Sequence, residues 1–342
     1  MRARGSEAAA SLGGLVATGL REVTDDAAAL DSKGRWAVAV PYEGTPVFAR
    51  FDNWRPGDPG DVAGPWRGPR AWASSLDRTA YLAAVHHVRE RIAEGGVYQA
   101  NVCRVLEAAL PDAEAADIGG LHALLCAGNP APYAGMLRLP EDGVHVASAS
   151  PELFLRRDGD VLESGPIKGT GKTPEDLSPK DEAENVMIVD LVRNDLSRVC
   201  RNGTVSVPAL LALEEHPGLV HLVSTVRGQL EPDADWASVL DATFPPGSVT
   251  GAPKIAALRI IADVETASRE FYCGAFGWVD ADRRTASLAV AIRTFWKAGD
   301  LLRFGTGAGI TWGSDAAAEW DETELKAAHL MQVAAGTWDP GD

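Results

Sequence analysis

The sequence lacks any Cys-x-x-Cys pair. Its four cysteines, Cys103, Cys126, Cys200 and Cys273, are widely scattered. That spacing argues against a structural zinc site or a redox dithiol, and reduced thiols are expected. Basic residues are in deficit, 32 against 48 acidic, for a formal charge of −16. Such a balance disfavours nucleic acid and anionic membrane surfaces as partners. No window approaches the ~18 apolar residues of a membrane span. Internal repeats and low-complexity tails are also missing. Arg2 and Arg4 precede a small-residue stretch, but Glu7 and several glycines interrupt it and no clear cleavage site follows. A signal peptide is therefore not expected, and a cytoplasmic location is.

What remains is ordinary for a globular protein: 342 residues, 46% hydrophobic and 23% charged. That length can bury a sizeable core, as one large domain or two smaller ones. Residues 1–30 are rich in alanine and glycine and read as irregular. Trp36–Val40 and Val47–Phe51 flank a Gly-Thr-Pro turn and predict a hairpin. Residues 52–75, dense in proline and glycine, read as a linker or surface excursion. The chain thus divides into an N-terminal region, 1–75, and a core, 76–336.

Within the core, Tyr81, Val85, Val88 and Ile92 recur at helical spacing over Asp77–Glu94, and Gly95-Gly96 ends the run. Val97–Leu106 reads as a strand with Gln99, Asn101 and Cys103 on one face, either a solvent face or a cleft wall. A short helix over 121–127 and a strand over Tyr133–Leu139 follow. The helix from about Lys180 to Val199 has too many apolar residues for one stripe and should be substantially buried. Arg193, Asn194 and Asp195 inside it predict internal pairing. Strands are expected at 203–207 and 219–230, then at Gly274–Asp280, Ser287–Phe295 and Leu301–Thr311. Pro253 suits the first position of a helix over Ile255–Ala262, whose N-terminus would favour an anion. Ser314 is the expected N-cap of the final helix.

Several residues stand out chemically. Lys168, in Pro166-Ile167-Lys168-Gly169-Thr170, is either a solvated loop charge or a placed amine. Glu152 sits in an apolar strand, either facing outward or buried with the raised pKa a general acid needs. Asp181/Glu184 and Glu319/Glu322 are acidic pairs one turn apart on two helices. Carboxylates from separate elements, leaving positions for water and substrate oxygens, are how proteins hold Mg2+. Such a metal would also join an acidic protein to an anionic substrate. His221 lies in an apolar strand, where a core role is the usual one. Gly305, Gly307 and Gly309 permit close approach of a ligand to backbone. Together these features describe an enzyme acting on a small polycarboxylate, and residues alone take the reading no further.

A resemblance takes it further. The chain looks like the chorismate-utilising enzymes in Val97–Asn101, Ser150-Pro151-Glu152, Pro166–Thr170, Glu184–Leu196, His221–Ser224, Gly247–Lys254, Ala291–Thr294, Gly307–Ile310 and Glu319–Thr323. These stretches run in the family's order across about residues 76–335. The family's isochorismate and salicylate synthases carry a water-activating lysine where Gln99 stands, so Gln99 implies use of ammonia. Anthranilate synthases carry alanine where Lys168 stands, whereas aminodeoxychorismate synthases carry lysine.

The resemblance therefore implies conversion of chorismate and ammonia to 4-amino-4-deoxychorismate. It implies that Lys168 adds to the substrate, as an amine of depressed pKa, while Glu152 acts as the acid. Mg2+ would be held by Glu184 and Glu322, with Asp181 and Glu319 supporting through water. Arg293 and the amides near Gly307 and Gly309 would bind a carboxylate, and Gln99, Thr250 and His221 would line the pocket. Ammonia would come from a glutamine amidotransferase partner. The implied fold is α+β, with large antiparallel sheets packed against flanking helices. Relative to the family the N-terminal region reads as truncated, and it lacks the motif of a tryptophan pocket. The alternatives are an anthranilate synthase component I, or a non-catalytic chorismate-binding subunit.

Overall fold

Strands dominate, and most of them are buried on both faces. Arg35–Val40, with Trp36, Ala37, Val38 and Ala39 all at most 1% exposed, is typical. A strand with apolar side chains on both faces needs cover on both, and here the sheet folds over itself to supply it. A computed structural model describes residues 7–171, 173–177, 179–216 and 219–338. The start of the chain, with Arg2 and Arg4, lies outside these residues.

Every described strand pairing is antiparallel. Gln99–Ala109 pairs with Leu301–Ile310 along its length, from Ala100↔Ile310 to Ala109↔Leu301. Leu301–Ile310 pairs onward with Thr294–Ala298, which pairs with Val144–Ser150 and through it with Tyr133–Leu139. A second run joins Val47–Pro56, Arg35–Val40, Ala275–Asp280, Thr285–Val290, Leu153–Asp158, Val161–Gly165 and Leu219–Gln229. Ile167–Gly171 continues along the same edge of Leu219–Gln229 as Val161–Gly165, and Ser206–His216 pairs with the opposite edge.

The two runs are joined by residues that read as irregular in sequence. Ala9–Leu12 and Leu15–Thr24 form a hairpin across Gly13 and Gly14, both at positive φ. The first strand pairs with Tyr133–Leu139 and the second with Val47–Pro56. Alanine and glycine hide this hairpin from a periodicity reading. Gly135 on the partner strand lets it lie close: a Cβ there would be 2.5 Å from Leu12 Cδ2 and 3.0 Å from Phe276 Cε1. Residues 57–72 are likewise more than a linker. Val62 is 8% exposed, and Trp66 and Trp72 pack on the same apolar cluster as Leu121, Phe295 and Leu330. The Trp66 indole N–H donates to the Ala334 carbonyl at 2.8 Å.

Among the described residues six α-helices flank the sheet: α1 (Arg78–Ala93), α2 (Ile118–Gly128), α3 (Pro179–Ser197), α4 (Trp236–Thr243), α5 (Lys254–Val264) and α6 (Ala316–Ala335). Aspartates cap several of them: Asp77, Asp117 and Asp315 accept from Ala80, Gly119 and Ala318 N–H at 2.8, 2.7 and 2.9 Å. Such caps are worth about 1 kcal/mol each. The cap of α6 is Asp315 rather than Ser314, whose hydroxyl instead accepts from Thr311 N–H. Pro253 sits one residue outside α5, as its N-cap.

Helix α3 departs from the sequence reading in one respect. Ile188, Val189, Val192 and Leu196 form a buried stripe, but Val186 is 46% exposed. Arg193 pairs at the surface with Asp190, while Asp195 turns inward to Lys254 at 2.6 Å. No helix among the described residues is long and apolar enough to cross a membrane.

Candidate active site

A cavity of about 480 Å3 opens where α3 and α6 face the sheet. It gathers residues from distant parts of the chain. Strand Ile167–Gly171 contributes Lys168, the turn after Val144–Ser150 contributes Glu152, and the turn before Thr294–Ala298 contributes Arg293. Helix α3 supplies Asp181 and Glu184, α6 supplies Glu319 and Glu322, and the sheet supplies His221, Gly307 and Gly309.

Two expected members are not in that lining. Gln99 is buried directly behind Gly309: a Cβ at 309 would lie 2.4 Å from Gln99 Nε2 and 3.5 Å from Lys168 Nζ. Gln99 Oε1 has no hydrogen-bond partner. Thr250 is fully buried and turns its hydroxyl to the Pro246 and Gly247 carbonyls at 3.2 and 3.1 Å. Its own carbonyl accepts from Asn101 N–H at 2.8 Å, so it anchors the wall rather than facing the cavity. The glycines have a protein reason beside any ligand. At Gly307 a Cβ would lie 2.7 Å from Cys103 Sγ, because the paired strand presses against it.

Glu152 is 5% exposed. Burial raises its carboxyl above the ordinary range, partly offset by the Ser248 hydroxyl and the Lys168 charge. A raised carboxyl pKa favours the protonated form that a general acid needs. Lys168 Nζ donates to the Ser248 carbonyl at 3.2 Å. Ser248 thus stands beside both the acid and the amine.

Arg293 adopts a positive φ of 52°, and among the described residues no carboxylate pairs with its guanidinium. Burial lowers its pKa. A left-handed backbone at a bulky residue costs of order 1 kcal/mol and is found where geometry serves a site. A desolvated guanidinium facing a cavity without a protein anion is suited to an incoming carboxylate.

The acidic groups are not left to repel one another. Lys180 Nζ lies 2.9 Å from Glu319 Oε1 and 3.7 Å from Glu184 Oε1, and Lys326 Nζ lies 2.5 Å from Glu322 Oε1. Glu184 and Glu319 are buried, 9% and 3% exposed, whereas Glu322 sits at the rim. Burial raises the Glu184 carboxyl, and the nearby charges of Glu319 and Asp181 add to this. Among the described residues no three of these carboxylates converge on one point. The donor set nevertheless fits magnesium, which takes one or two carboxylates and completes its shell with water and substrate oxygen. That an ammonium bridges Glu184 and Glu319 shows where positive charge is favoured.

Sequence reasoning missed Lys180, Lys326, Ser248 and Tyr272, which also line the cavity. Lys326 was legible as the i+4 partner of Glu322. Nothing in the sequence marks Tyr272, which a long loop brings in.

Behind the wall, Arg269 is fully buried and donates to the Val249 and Asn101 carbonyls at 2.7 and 2.8 Å. It also grips Glu265 at 2.6 Å, and Glu265 accepts from Cys103 N–H. This network fixes the strand carrying Gln99 against the loop carrying Ser248.

A family model described as chorismate binding enzyme matches residues 59–332. Over 276 residues the chain is 39% identical to "Anthranilate synthase component 1" of Streptomyces coelicolor, covering 77% of this chain and 53% of that one. It is 35% identical over 317 residues to "Aminodeoxychorismate synthase component 1" of Klebsiella aerogenes, covering 86% of this chain and 68% of that one. The chain spans just over half the length of some of these curated relatives. Among solved structures, anthranilate synthase component I from Streptococcus pneumoniae superposes with a TM-score of 0.75 at 24% identity, over 88% of this chain and 81% of that one. The menaquinone-specific isochorismate synthase of Escherichia coli gives 0.80 at 18% identity, over 98% and 90%. At such identities the two structures speak to the fold alone.

Proposed function

The chain belongs to the family of chorismate-binding enzymes, and on that premise we propose that it is an aminodeoxychorismate synthase component I. The reaction is conversion of chorismate and ammonia to 4-amino-4-deoxychorismate, for 4-aminobenzoate synthesis. The observation that carries this reading is the Lys168 amine, which enters the same cavity as the buried Glu152 carboxyl and the unpaired Arg293 guanidinium. Relatives named as anthranilate synthases are as similar as those named as aminodeoxychorismate synthases. The lysine at 168 is what separates the two.

In this reading Arg293 and the amides near Gly307 and Gly309 hold a substrate carboxylate. Glu152 gives its proton to the C4 hydroxyl as the C–O bond breaks, and the Lys168 amine nitrogen bonds to C2 as the ring double bond shifts. Ammonia then bonds to C4, the Lys168–C2 bond breaks, and the enolpyruvyl group stays in place. Gln99 supplies no base for water, so ammonia is the nucleophile that remains. Magnesium, held by Glu184 and Glu322 with Asp181 and Glu319 supporting through water, would neutralise a second substrate carboxylate. A glutamine amidotransferase subunit would supply the ammonia.

Incubation with chorismate, magnesium chloride and ammonium chloride tests the assignment. The expected product is 4-amino-4-deoxychorismate, converted by a lyase to 4-aminobenzoate. Direct appearance of anthranilate fluorescence would instead identify an anthranilate synthase.

A further inference from the structure

Glu152 and Ser248 line two cavities, not one. The second is a small void of about 20 Å3, lined also by Ser164, Thr243 and Asp195. That is room for one water; Glu152, Ser164, Asp195, Thr243 and Ser248 are the polar members of a wall otherwise made by leucine, phenylalanine, valine and proline side chains. Asp195 is paired with Lys254 at 2.6 Å, and Lys254 Nζ also donates to the Thr243 carbonyl at 3.0 Å. Asp195, which lines the void, is 6% exposed, and the Lys254 side chain paired with it is 14% exposed. No step of the proposed reaction uses either residue.

The proton balance of that reaction leaves a need. Glu152 loses a proton to the departing water. Ammonia enters neutral and leaves on the product as an ammonium, while Lys168 ends the cycle in the state in which it began. One proton from solvent must therefore reach Glu152 in every turnover. We infer that the Asp195–Lys254 pair and the void between it and Glu152 form the route by which Glu152 is reprotonated. The inference rests on reading Glu152 as the acid.

The charged groups around the route are few. Lys168 and Lys326 face Glu152; Lys254 and Arg198 face Asp195; Asp195 and Arg198 face Lys254. Burial pushes the Glu152 and Asp195 carboxyls up and the Lys254 ammonium down, bringing donor and acceptor closer in proton affinity. Asp195 and Lys254 act through Glu152 and do not touch substrate.

The test compares first and later turnovers by rapid mixing with chorismate, magnesium and ammonium. The variant Asp195→Leu/Lys254→Met removes the route without stranding a charge, since an apolar pair of similar volume is commonly tolerated. Asp195→Asn serves as a second variant should the first fold poorly. The first turnover, run on preloaded Glu152, is expected within about twofold of wild type, whereas steady-state turnover falls on the order of tenfold or more. The slowed phase should carry an enlarged solvent deuterium isotope effect. Unchanged rates in both phases would overturn the inference. Equal slowing of both would also overturn it, by assigning the pair a purely structural role. A Glu152→Gln variant with an undiminished first turnover would sink the reading of Glu152 itself, which is a separate failure.

Discussion

Lys180 on α3 and Glu319 on α6 are joined at 2.9 Å, tying the two acidic helices together across the cavity. The same ammonium lies 3.7 Å from Glu184. It occupies the region where the carboxylates draw positive charge, so it competes with a divalent cation. In Lys180→Met the affinity for Mg2+, measured by calorimetry without substrate, is expected to rise on the order of fivefold, about 1 kcal/mol for a part-exposed pair. Weaker binding would show instead that Lys180 orders the carboxylates.

Glu152 makes a prediction in which activity and stability move in opposite directions. Burial raises its pKa in the folded state above the unfolded value. Its contribution to stability is therefore fully present below the unfolded pKa and lost as pH rises through the folded one. Glu152→Gln should accordingly melt higher than wild type at neutral and alkaline pH, with the gap closing in acid. Its kcat should fall by about 10²–10⁴-fold. A melting temperature below wild type at pH 8 would contradict the account.

Arg293 has no protein anion to lose. Arg293→Gln is expected to leave thermal stability unchanged or slightly improved, because a desolvated charge disappears. The KM for chorismate should rise on the order of 10²-fold, about 2–3 kcal/mol for a buried charge pair. Steady-state kinetics beside a melting curve check both halves, and a destabilised variant of normal KM would contradict them.

Much of this was legible in the sequence, for identifiable reasons. Helices with a strong apolar period, such as α1, appear within a residue or so of their expected ends, because burial of one stripe decides them. The acids of α3 and α6, Lys168, Glu152, His221 and Arg293 are carried by recognisable stretches, and the fold brings them all to one cavity. The N-terminal hairpin was not legible, since its alanines and glycines carry little pattern and the partner of its first strand lies more than 100 residues away. Nor was the burial of Gln99 and Thr250 behind the wall, which depends on how tightly Gly309 and Gly251 let strands approach. Spacing along the chain gives a face; it does not say how many atoms stand between that face and a ligand.

That close approach is itself testable. A methyl at position 309 would meet Gln99 Nε2 at 2.4 Å and Lys168 Nζ at 3.5 Å. The first contact is with the end of a side chain, so Gly309→Ala should fold. Displacing Gln99 and crowding the amine should nonetheless lower kcat/KM on the order of 10²-fold, as misplacements of about 1 Å do. Activity close to wild type would mean that neither side chain is held in a demanding position.

The most direct measurement is the intact mass of the protein after rapid mixing with chorismate and magnesium in the absence of ammonia. With no nucleophile to expel Lys168, the account predicts a species heavier by one chorismate less one water, mapped by digestion to Lys168 and missing in Lys168→Ala. No adduct in the wild type, together with full product formation by Lys168→Ala, would contradict it.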